Sequence, residues 1–464
     1  MKSSGSEEEL AELESIFSEF ESFTNLEHGG GAQTRHYRLE RMQRWLRILG
    51  NPQQKFRAVH IAGSKGKGST AAMIDAVLRG GGEKVGRYTS PHISSYRERI
   101  SIHGVPAPLE LLLPILQYLR QEFRRAEIDY KPTTFEALTL AAFLCFAEAD
   151  LDRVVVETGL GGRLDATNLV LPEMVVLTPI ELEHTEYLGN SIAEIAFEKA
   201  GIIKPEIPVV AAELRPEAES VICHRAEELA APISLLASRL QKLIRSSEID
   251  GDPLEIVLQN PDTQIYTRLQ MRGRVQAQNA ALATLAVRLL RPDMPSALIE
   301  TGLASARLPA RGELFRTSPP VMLDGAHTPD SVTSVYETFA EIFPGEATLI
   351  FGAVQGKDIQ GMLERLPKQF RRVIISRPGR FRASNPEAIQ SLLTSIGRSA
   401  ELIEEAQAAL ASARESGLPI LIVGSFFLAG EFRPFLTAEE EFGTGMSGGE
   451  PPADGSTKGR PTCR

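Results

Sequence analysis

The sequence has few cysteines and no long apolar segment. Three cysteines, Cys145, Cys223 and Cys463, are scattered over 464 residues, which excludes a disulfide framework or a zinc cluster and indicates a reducing compartment. No apolar run approaches the ~20 residues that a membrane-spanning helix needs. The acidic start, Ser6-Glu-Glu-Glu9, lacks the basic and apolar regions of a signal peptide. The sequence therefore predicts a cytoplasmic protein with no membrane partner.

A surplus of basic charge is also missing. Asp and Glu number 60 against 50 Lys and Arg, so the net charge is -10. That balance excludes a generally basic surface that coats nucleic acid, and no nucleic-acid partner is expected. Hydrophobic residues make up 42% and charged residues 24%, as in ordinary folded proteins. The length corresponds to two or three domains.

Apolar runs alternate with helical patterns along most of the chain, which predicts largely parallel sheets covered on both faces. The first series of predicted strands comprises residues 59–62, 84–88, 153–156, 174–177 and 208–211. The second comprises residues 321–323, 348–351, 372–375 and 419–423. Between the two series, residues 254–271 have the pattern of an antiparallel hairpin appended to the first sheet, and residues 276–290 that of an amphipathic helix.

The strongest local signal is a glycine-rich turn between a predicted strand and a predicted helix. Residues 63–70, GSKGKGST, can direct backbone N–H groups and a helix N-terminus at phosphate oxygens, and Lys67 adds a point charge. Ile61 stands where the usual phosphate-loop pattern has its first glycine, and Gly68 replaces the hydroxyl residue after the lysine. A plain glycine-rich turn is the alternative, but the flanking strand and helix favour nucleotide binding. The candidate ATP ligands in the loop are Gly66, Lys67, Gly68 and Ser69.

Further motifs follow the loop in a defined order. They are TSPH (89–92), ETGLGGRLDATN (157–168), EHTEYLG (183–189), EKAGIIKP (198–205), QAQNA (276–280), PAR (309–311), LDGAH (323–327), FGAVQGKD (351–358) and GS (424–425). This ordered set resembles the folylpolyglutamate synthase/dihydrofolate synthase family within the Mur ligase superfamily. The resemblance implies that ATP activates a folate-type carboxylate as an acyl phosphate, which the amino group of L-glutamate then attacks. Catalysis of that kind depends mainly on cations and donors held in place around the phosphoryl group.

The fold predicted from the strand pattern and the resemblance is α/β. It has an N-terminal P-loop ATPase domain with a mainly parallel sheet and a smaller C-terminal Rossmann-like α/β domain. The predicted boundaries are a flexible acidic leader at 1–35, the ATP-binding domain at 36–308, the glutamate-ligase domain at 309–434 and a disordered tail at 435–464. The leader contains a helical stretch, residues 7–23, followed by a glycine joint at 29–31. The tail has too little apolar content to repay the entropy of ordering.

Candidate magnesium ligands come directly after predicted strands. Glu157, His184 and Ser90 would each lie near the carboxyl edge of a parallel sheet, where α/β proteins bind ligands. The resemblance implies that these three ligate Mg²⁺ near the γ-phosphate of ATP. Oxygen ligands suit Mg²⁺ while histidine is less usual, and a turn role for Ser90 or a structural role for His184 is the alternative. His184 must be neutral to bind, which predicts loss of activity as the pH falls.

Lys199 lies late in a predicted helix, where a lysine usually complements the helix dipole. In related enzymes the matching lysine is carbamylated, and the resemblance implies a carbamate that supports a second metal. The predicted cofactors are ATP and Mg²⁺, with a second Mg²⁺, carbamylated Lys199 and K⁺ as open additions.

Other candidates come from the motifs of the second half of the chain. By resemblance, Asn279, Arg311 and Asp324 surround the adenosine and phosphates of ATP, although Arg311 has a surface position as its alternative. His327 and Ser425 follow strands of the C-terminal domain, where glutamate would meet the phosphorylated intermediate. The catalytic candidates are therefore Lys67, Lys199 and His327.

Three segments match those that hold the pterin-bearing substrate in bifunctional members of the family. Phe135 offers an aromatic face, and Glu136 or Asp165 can accept from ring N–H groups. Core packing of Phe135 and anchoring of the 161–162 turn by Asp165 are the alternatives. The candidate folate residues are Leu39, Glu40, Arg41, Thr133, Thr134, Phe135, Glu136, Leu164, Asp165 and Ala166.

The predicted partners are small molecules, namely a folate or dihydropteroate and L-glutamate, and the predicted state is a monomer. Two other functions stay open: a Mur-like ligase of a different acid, and a nucleotide-binding regulator without ligase chemistry. ADP release that depends on both glutamate and a folate-type acceptor distinguishes the three.

Overall fold

Two mainly parallel sheets and one small antiparallel sheet organise the chain. The computed structural model describes residues 6–23, 38–127, 131–379 and 383–445. The strands are β1 Arg57–Ala62, β2 Val85–Tyr88, β3 Ile100–Ile102, β4 Val105–Pro106, β5 Arg153–Glu157, β6 Pro172–Leu177, β7 Val209–Ala211, β8 Ile233–Leu235, β9 Leu240–Arg245, β10 Asp252–Leu258, β11 Thr263–Leu269, β12 Glu313–Phe315, β13 Val321–Leu323, β14 Ala347–Phe351, β15 Phe370–Ile375, β16 Glu401–Leu402 and β17 Ile420–Val423.

Helices cover both faces of the large sheets. They are α1 Glu7–Glu21, α2 Arg38–Ile48, α3 Lys67–Gly80, α4 Leu109–Arg125, α5 Thr134–Glu148, α6 Thr185–Leu188, α7 Ile192–Ala200, α8 Pro216–Glu228, α9 Leu236–Arg239, α10 Arg274–Leu290, α11 Ser296–Ser305, α12 Pro329–Ile342, α13 Ile359–Glu364, α14 Pro386–Ser395, α15 Ala406–Arg414 and α16 Phe426–Gly445. Short 3-10 turns lie at Pro52–Gln54, Tyr96–Arg99 and Ala166–Leu169. Within the described ranges, no helix is long and apolar enough to cross a membrane.

The first sheet has the strand order β4-β3-β2-β5-β1-β6-β7-β8. Six strands run parallel to one another: β2, β5, β1, β6, β7 and β8. At one edge, β3 pairs antiparallel with β2, and β4 pairs antiparallel with β3. In the centre, Val59 of β1 lies opposite Val155 of β5 and Met174 of β6. Apart from its first residue, β1 is buried throughout, as expected for a strand covered on both faces. The phosphate loop follows β1 and therefore lies at the middle of the carboxyl edge.

The antiparallel hairpin is present, but its expected place in the first sheet is wrong. Strands β10 and β11 pair with Ile256 opposite Ile265, and β9 completes a separate sheet of order β11-β10-β9. Burial alternates along β10, so one face is apolar and the other meets solvent. The apolar face packs with α3 and α10 in one core, which is why the hairpin stacks against helices instead of extending the sheet edge.

The second large sheet lies in the C-terminal half of the chain. Its order is β12-β13-β17-β14-β15-β16, and all pairs except β12 with β13 are parallel. Apolar side chains on its two faces belong to two separate core clusters, one containing Phe339 and Phe370 and the other Phe315 and Phe432. The predicted α/β fold, with two sheets and both faces covered, is confirmed.

The acidic leader is part of the fold, so its predicted flexibility is wrong for residues 7–21. Leu13, Ile16, Phe17 and Phe20 form one buried stripe along α1. Their spacing of three and four residues is that of an amphipathic helix, which the many glutamates of the segment obscure in a composition-based assessment. The stripe joins the core beneath α4 and α5. The predicted glycine joint at 29–31 lies outside the described residues.

The predicted tail begins too early. Helix α16 continues through residue 435 to Gly445, and Leu436 is fully buried. Arg414 of α15 pairs with Glu439, so the Glu-rich segment after 435 is held by charge as well as by packing. Residues 446–464, including Cys463, lie outside the described residues.

A buried histidine makes stability depend on pH. His60 on β1 is fully buried, and its Nε2 lies 2.9 Å from Thr167 Oγ1. Thr167 Oγ1 donates to Asp165 Oδ1 at 2.5 Å, so the imidazole Nε2 is the donor in the first bond. Burial lowers the pKa of His60 to about 3. The uncharged ring is therefore the form that the folded protein accommodates.

We expect the free energy of unfolding to decrease as the pH falls below about 6.5, because the unfolded chain then binds the proton and the folded chain does not. A group with a lowered folded-state pKa contributes stability above its unfolded pKa. His60 alone should account for a loss of ~2 kcal/mol by pH 5. Urea midpoints at pH 7.5 and pH 5 measure this, with His60→Gln as the comparison. Equal pH dependence of the wild type and the variant would contradict the assignment.

Candidate active site

The phosphate loop is held in its shape from both sides. Gly66, which precedes α3, has φ of 85°, a backbone conformation that glycine adopts without strain. A Cβ atom there would lie 2.4 Å from Asn279 Oδ1, so Asn279 of α10 lies directly against the loop. On the opposite side, Ser64 donates its N–H to Pro179 O at 2.9 Å. The first N–H groups of α3, from Lys67, Gly68 and Ser69, are then aimed beyond the helix end.

Two lysines converge on one carbonyl of this loop. Lys67 Nζ donates to Gly63 O at 3.0 Å, and Lys199 Nζ donates to the same oxygen at 2.7 Å. Lys199 also donates to Glu183 Oε1 at 2.7 Å. Burial, together with the charge of Lys67, lowers the pKa of Lys199 to about 8, although Glu183 opposes the shift. Lys199 is therefore a buried amine that is partly neutral near physiological pH.

Ser90 and Glu157 lie together at the carboxyl edge. Glu157 ends β5 and is 3% exposed, and its Oε2 accepts from the backbone N–H of Ser90 at 3.0 Å. Burial raises the pKa of Glu157, while Lys67, Arg311 and Arg87 oppose the shift by their charge. Among the residues that the structure covers, Glu157 has no direct ion pair. A buried carboxylate in this condition is a suitable partner for a hard cation.

The structure also explains the unusual glycine after the loop lysine. A Cβ atom on Gly68 would lie 3.2 Å from Glu157 Oε2 and 3.3 Å from the side chain of Leu308. A serine or threonine at this position would press on the carboxylate. The usual phosphate-loop pattern has a hydroxyl residue at this position. In this chain glycine stands there instead, and Glu157 lies against the first turn of α3.

His184 approaches the same region from another loop. It precedes α6 with φ of 45° and is an exposed residue. Partial desolvation of the imidazole nevertheless lowers its pKa, and the charge of Glu183 opposes the shift. The charges of Lys67 and Lys357 contribute to that lowering, so His184 lies on the lysine side of the site. Across the described residues, no group of three His, Cys, Asp or Glu side chains forms a metal cluster. Glu157 and His184 alone do not make up three ligands, so the predicted set also needs the Ser90 hydroxyl. That these three residues ligate magnesium stays a prediction.

The joint between the two halves of the chain brings a second set of residues to this edge. The guanidinium of Arg311 lies 4.5 Å from the ring centroid of Phe426, and the His327 ring lies 5.2 Å from the same ring. Asp324 accepts from the N–H groups of Gly312 at 2.7 Å and Ala326 at 2.8 Å, and so orders the backbone on both sides. Phe426 was missed by sequence reasoning. Its only signal is its place directly after the GS motif at 424–425.

His327 and Ser425 have clear local roles. His327 Nδ1 donates to Gly325 O at 3.0 Å, which leaves Nε2 with its lone pair. Burial lowers the pKa of His327 to about 4, so the ring is neutral. Ser425 is 2% exposed, and its Oγ accepts from the Leu428 N–H at 3.1 Å at the start of α16. Ser425 therefore caps a helix, and its contact with glutamate stays a prediction.

The three predicted folate segments come together, since α2, α5 and the turn Ala166–Leu169 pack on one another. Arg41 forms a two-pronged ion pair with Glu136, at 2.8 and 2.9 Å, and the Thr133 N–H also donates to Glu136 at 2.7 Å. Thr134 Oγ1 donates to Phe20 O at 2.8 Å. Glu136 is therefore already engaged by Arg41 and by the start of α5. Its expected role as an acceptor for a pterin ring stays a prediction.

Asp165 likewise serves the fold. Its Oδ2 accepts from the N–H groups of Gly159 and Leu160, at 3.0 and 2.9 Å. These bonds agree with the alternative in which Asp165 anchors the neighbouring glycine turn. Phe135 differs, because it is half-buried and its ring packs over Gly159, where a Cβ would lie 2.4 Å from Cζ. Tyr88 lies 6.0 Å away between ring centroids. Leu39 and Leu164 are half-buried, Glu40 is exposed and Ala166 is buried.

Comparison with known proteins agrees with this geometry. Residues 61–287 match the model of the Mur ligase middle domain, and residues 310–426 match that of the Mur ligase glutamate ligase domain. Fold and site thus define an ATP-dependent ligase of the Mur type.

The relatives narrow the class further. The chain is 39% identical to the dihydrofolate synthase/folylpolyglutamate synthase of Bacillus subtilis, over 71% of this chain and 78% of that protein. The chain belongs to the folylpolyglutamate synthase/dihydrofolate synthase family, and the predicted family and ligase activity are confirmed.

Two solved structures show the same fold. Folylpolyglutamate synthase from Mycobacterium tuberculosis, complexed with ADP and AMPPCP, superimposes with a TM-score of 0.81 at 29% identity and covers 92% of this chain and 99% of that one. An Escherichia coli relative in complex with DHPP and ADP gives a TM-score of 0.75 at 28% identity, over 92% and 98%.

Proposed function

We propose that this protein joins the amino group of L-glutamate to the carboxylate of a folate-type acid, with ATP converted to ADP and phosphate. The observation that carries the proposal is one interdomain cavity lined by Gly68 of the phosphate loop, Ser90 and Glu157 of the sheet edge, and Arg311 and Phe426 of the C-terminal half. Phosphoryl donor, acid and amine would meet there. ATP binding is supported further by the nucleotide complexes of relatives.

The chemistry needs two steps because a carboxylate is a poor electrophile. A carboxylate oxygen of the acid first attacks the γ-phosphorus of ATP, and ADP leaves. The glutamate nitrogen then attacks the acyl carbon, phosphate leaves, and the nitrogen loses a proton. Charge on the transferring phosphoryl group is stabilised by Lys67, by the N-terminus of α3 and by Arg311. The neutral Nε2 of His327 can accept a hydrogen bond from the attacking amine.

The residues at the edge fit a magnesium ion. Glu157 is a buried carboxylate without a direct ion pair among the described residues, the Ser90 side chain adds a hydroxyl, and a neutral His184 adds a nitrogen. When bound there, Mg²⁺ would withdraw charge from phosphoryl oxygens. Replacement of Ser90 by alanine would remove one of the three ligands without touching the backbone bond to Glu157.

We further propose that Lys199 carries a carbamate. Its neutral amine would add to CO₂ with loss of a proton, and a pKa of about 8 leaves part of the population neutral at physiological pH. The anionic product would lie beside Glu183, a repulsion that a second Mg²⁺ would relieve. The alternative is an unmodified ammonium that holds Gly63 and Glu183 in place, as its two hydrogen bonds indicate.

Replacing Lys199 by alanine is expected to lower glutamate-dependent turnover at least tenfold even with excess magnesium, because the support for the second metal is lost. Carbon-13 NMR with labelled bicarbonate should show a carbamate resonance in the wild type and none in the variant. Glu181→Ala, in the neighbouring loop, is the control, since the Glu181 side chain forms an ion pair with the half-exposed Lys65 and none with Lys199. Near-normal turnover of Lys199→Ala would contradict the carbamate role.

The proposed function is tested by ADP release with ATP, Mg²⁺ and L-glutamate, comparing dihydropteroate with tetrahydrofolate. Release that depends on both glutamate and one of these acceptors supports it. Release only with other acids would indicate a Mur-like ligase of a different substrate, and nucleotide binding without turnover would indicate a regulator. A monomeric state, a cytoplasmic location and K⁺ as an additional cofactor are proposals that the same preparation can address by sedimentation, localisation and cation substitution.

A further inference from the structure

The interdomain cavity extends beyond the reacting groups into an arginine-rich space. Its volume is about 390 Å³. In addition to the groups described above, it is lined by residues of the β2–β4 region, the interdomain joint and α16. Five arginines line it: Arg87, Arg97, Arg307, Arg311 and Arg433. The lining also contains two carboxylates, Glu98 and Glu157, so its formal charge is positive.

Two of the five arginines are already neutralised. Arg87 pairs with Asp75 at 2.9 Å, and Arg433 pairs with Glu313 at 2.9 Å. The carboxylate of Glu98 offers the cavity little negative charge, since it accepts from three successive backbone N–H groups, of which the first, from Ile93, lies at 2.8 Å. The other three lining arginines, Arg97, Arg307 and Arg311, form no ion pair within the described residues.

Arg97 and Arg307 differ from that pair because the partners that the structure gives them are neutral. Arg97 donates to Ala107 O at 3.0 Å, and Arg307 donates to Ala304 O at 2.7 Å and Ala306 O at 3.0 Å. Neither forms an ion pair with a carboxylate in the part of the chain that the structure covers. Partial burial lowers the pKa of both guanidinium groups, and the charge of Glu110 opposes the shift at Arg97. An anion in the cavity would supply the missing partner.

The position of Arg97 and Arg307 relative to the reacting groups indicates which kind of anion they would bind. The cavity also contains Ser90 and Glu157, where the acid would be phosphorylated. An acceptor that already ends in glutamate presents its γ-carboxylate for phosphorylation and carries an α-carboxylate three carbon atoms away, within ~5 Å. Dihydropteroate ends in a benzoate and has no such second carboxylate. The first addition of glutamate and later additions therefore differ by one negative charge next to the reacting atoms.

We propose that Arg97 and Arg307 form a binding site for the α-carboxylate of acceptors that already end in a glutamyl residue. The two arginines would thereby favour extension of a glutamate chain over the first addition to a benzoate. A planar guanidinium suits this task because it can bind both oxygens of one carboxylate. The inference rests on the proposed function and adds a specificity determinant to it.

The test compares two acceptors with single variants. For Arg307→Gln we expect the KM for tetrahydrofolate, which ends in glutamate, to rise about tenfold or more with kcat little changed. The KM for dihydropteroate should stay within about twofold. Arg97→Gln should show the same selective effect, and Arg307→Lys should restore part of the loss because it keeps the charge. Arg125→Gln, at the exposed end of α4, is the matched control.

The outcomes separate the inference from the proposed function. Equal effects on both acceptors, or no effect on either, would overturn the carboxylate site while the ligase function stands. No ADP release from the wild type with either acceptor would remove the proposed function and the inference with it. If Arg97→Gln does not fold, Arg307→Gln is decisive, because the bonds of Arg307 lie at the end of its own helix, α11.

Discussion

Replacing Glu157 by glutamine is expected to lower glutamate-dependent ADP release at least about 100-fold, the range found when a group that stabilises transition-state charge is removed. Glu157 is 3% exposed, lies beside Ser90 and approaches the first turn of α3. Glutamine keeps the shape and can still accept from the Ser90 N–H, but it removes the negative charge that would hold Mg²⁺. Steady-state turnover at saturating ATP measures the effect.

The same variant should not be less stable than the wild type. Burial raises the pKa of Glu157, so the ionised carboxylate costs the folded protein free energy. A neutral amide at this position would not have that cost. We therefore expect an unchanged or higher melting temperature together with the loss of turnover. Glu181→Gln serves as the control, since it removes a half-exposed carboxylate from the same edge. Turnover of Glu157→Gln within tenfold of the wild type would refute the assigned role.

The second large effect concerns stability. Replacing Phe20 of α1 by alanine is expected to lower the free energy of unfolding by about 3–5 kcal/mol, as for other fully buried phenylalanines. Phe20 is fully buried, and its ring lies 5.5 Å from the rings of both Phe23 and Phe123. Removal of the ring leaves a cavity between α1 and α4. Urea denaturation followed by circular dichroism measures the change.

A matched substitution on the opposite face of α1 provides the control. Glu8 is exposed, so Glu8→Ala should change stability by less than ~0.5 kcal/mol. A loss for Phe20→Ala no larger than that for Glu8→Ala would mean that the leader lies outside the cooperative unit, as its composition alone predicted.

Helix α1 also contacts residues next to the predicted folate segments and the Ser90 loop. Its Phe20 carbonyl accepts from Thr134 Oγ1, and the Phe17 ring stacks on Tyr96 with centroids 4.6 Å apart. Tyr96 belongs to the turn that follows the Ser90 loop, and its ring lies 4.1 Å from that of His92. Loss of α1 would therefore disturb the folate segments and the Ser90 loop together. Helix α1 of the leader therefore helps to hold both of these segments in position.

Sequence reasoning succeeded where a function depends on the order of motifs along the chain. The nine strands predicted from the two alternating series are all present, and strand ends at Glu157 and Tyr88 place Glu157 and Ser90 at one edge. It could not decide which partner a side chain takes where several compete. Glu136 carries a charge that suggests substrate recognition, but whether Arg41 or a ligand neutralises it depends on how α2 packs against α5.

The sequence by itself determined the α/β class, the phosphate loop and the family, because these depend on local periodicity and on the order of short motifs. Only the tertiary structure decided that the acidic leader is a core helix, that the hairpin forms its own sheet, and that Gly68 makes room for Glu157. It also showed that Arg97 and Arg307 reach one cavity without a carboxylate partner among the described residues. The physical reason is that burial and charge compensation arise between residues distant in the chain, and no local pattern records them.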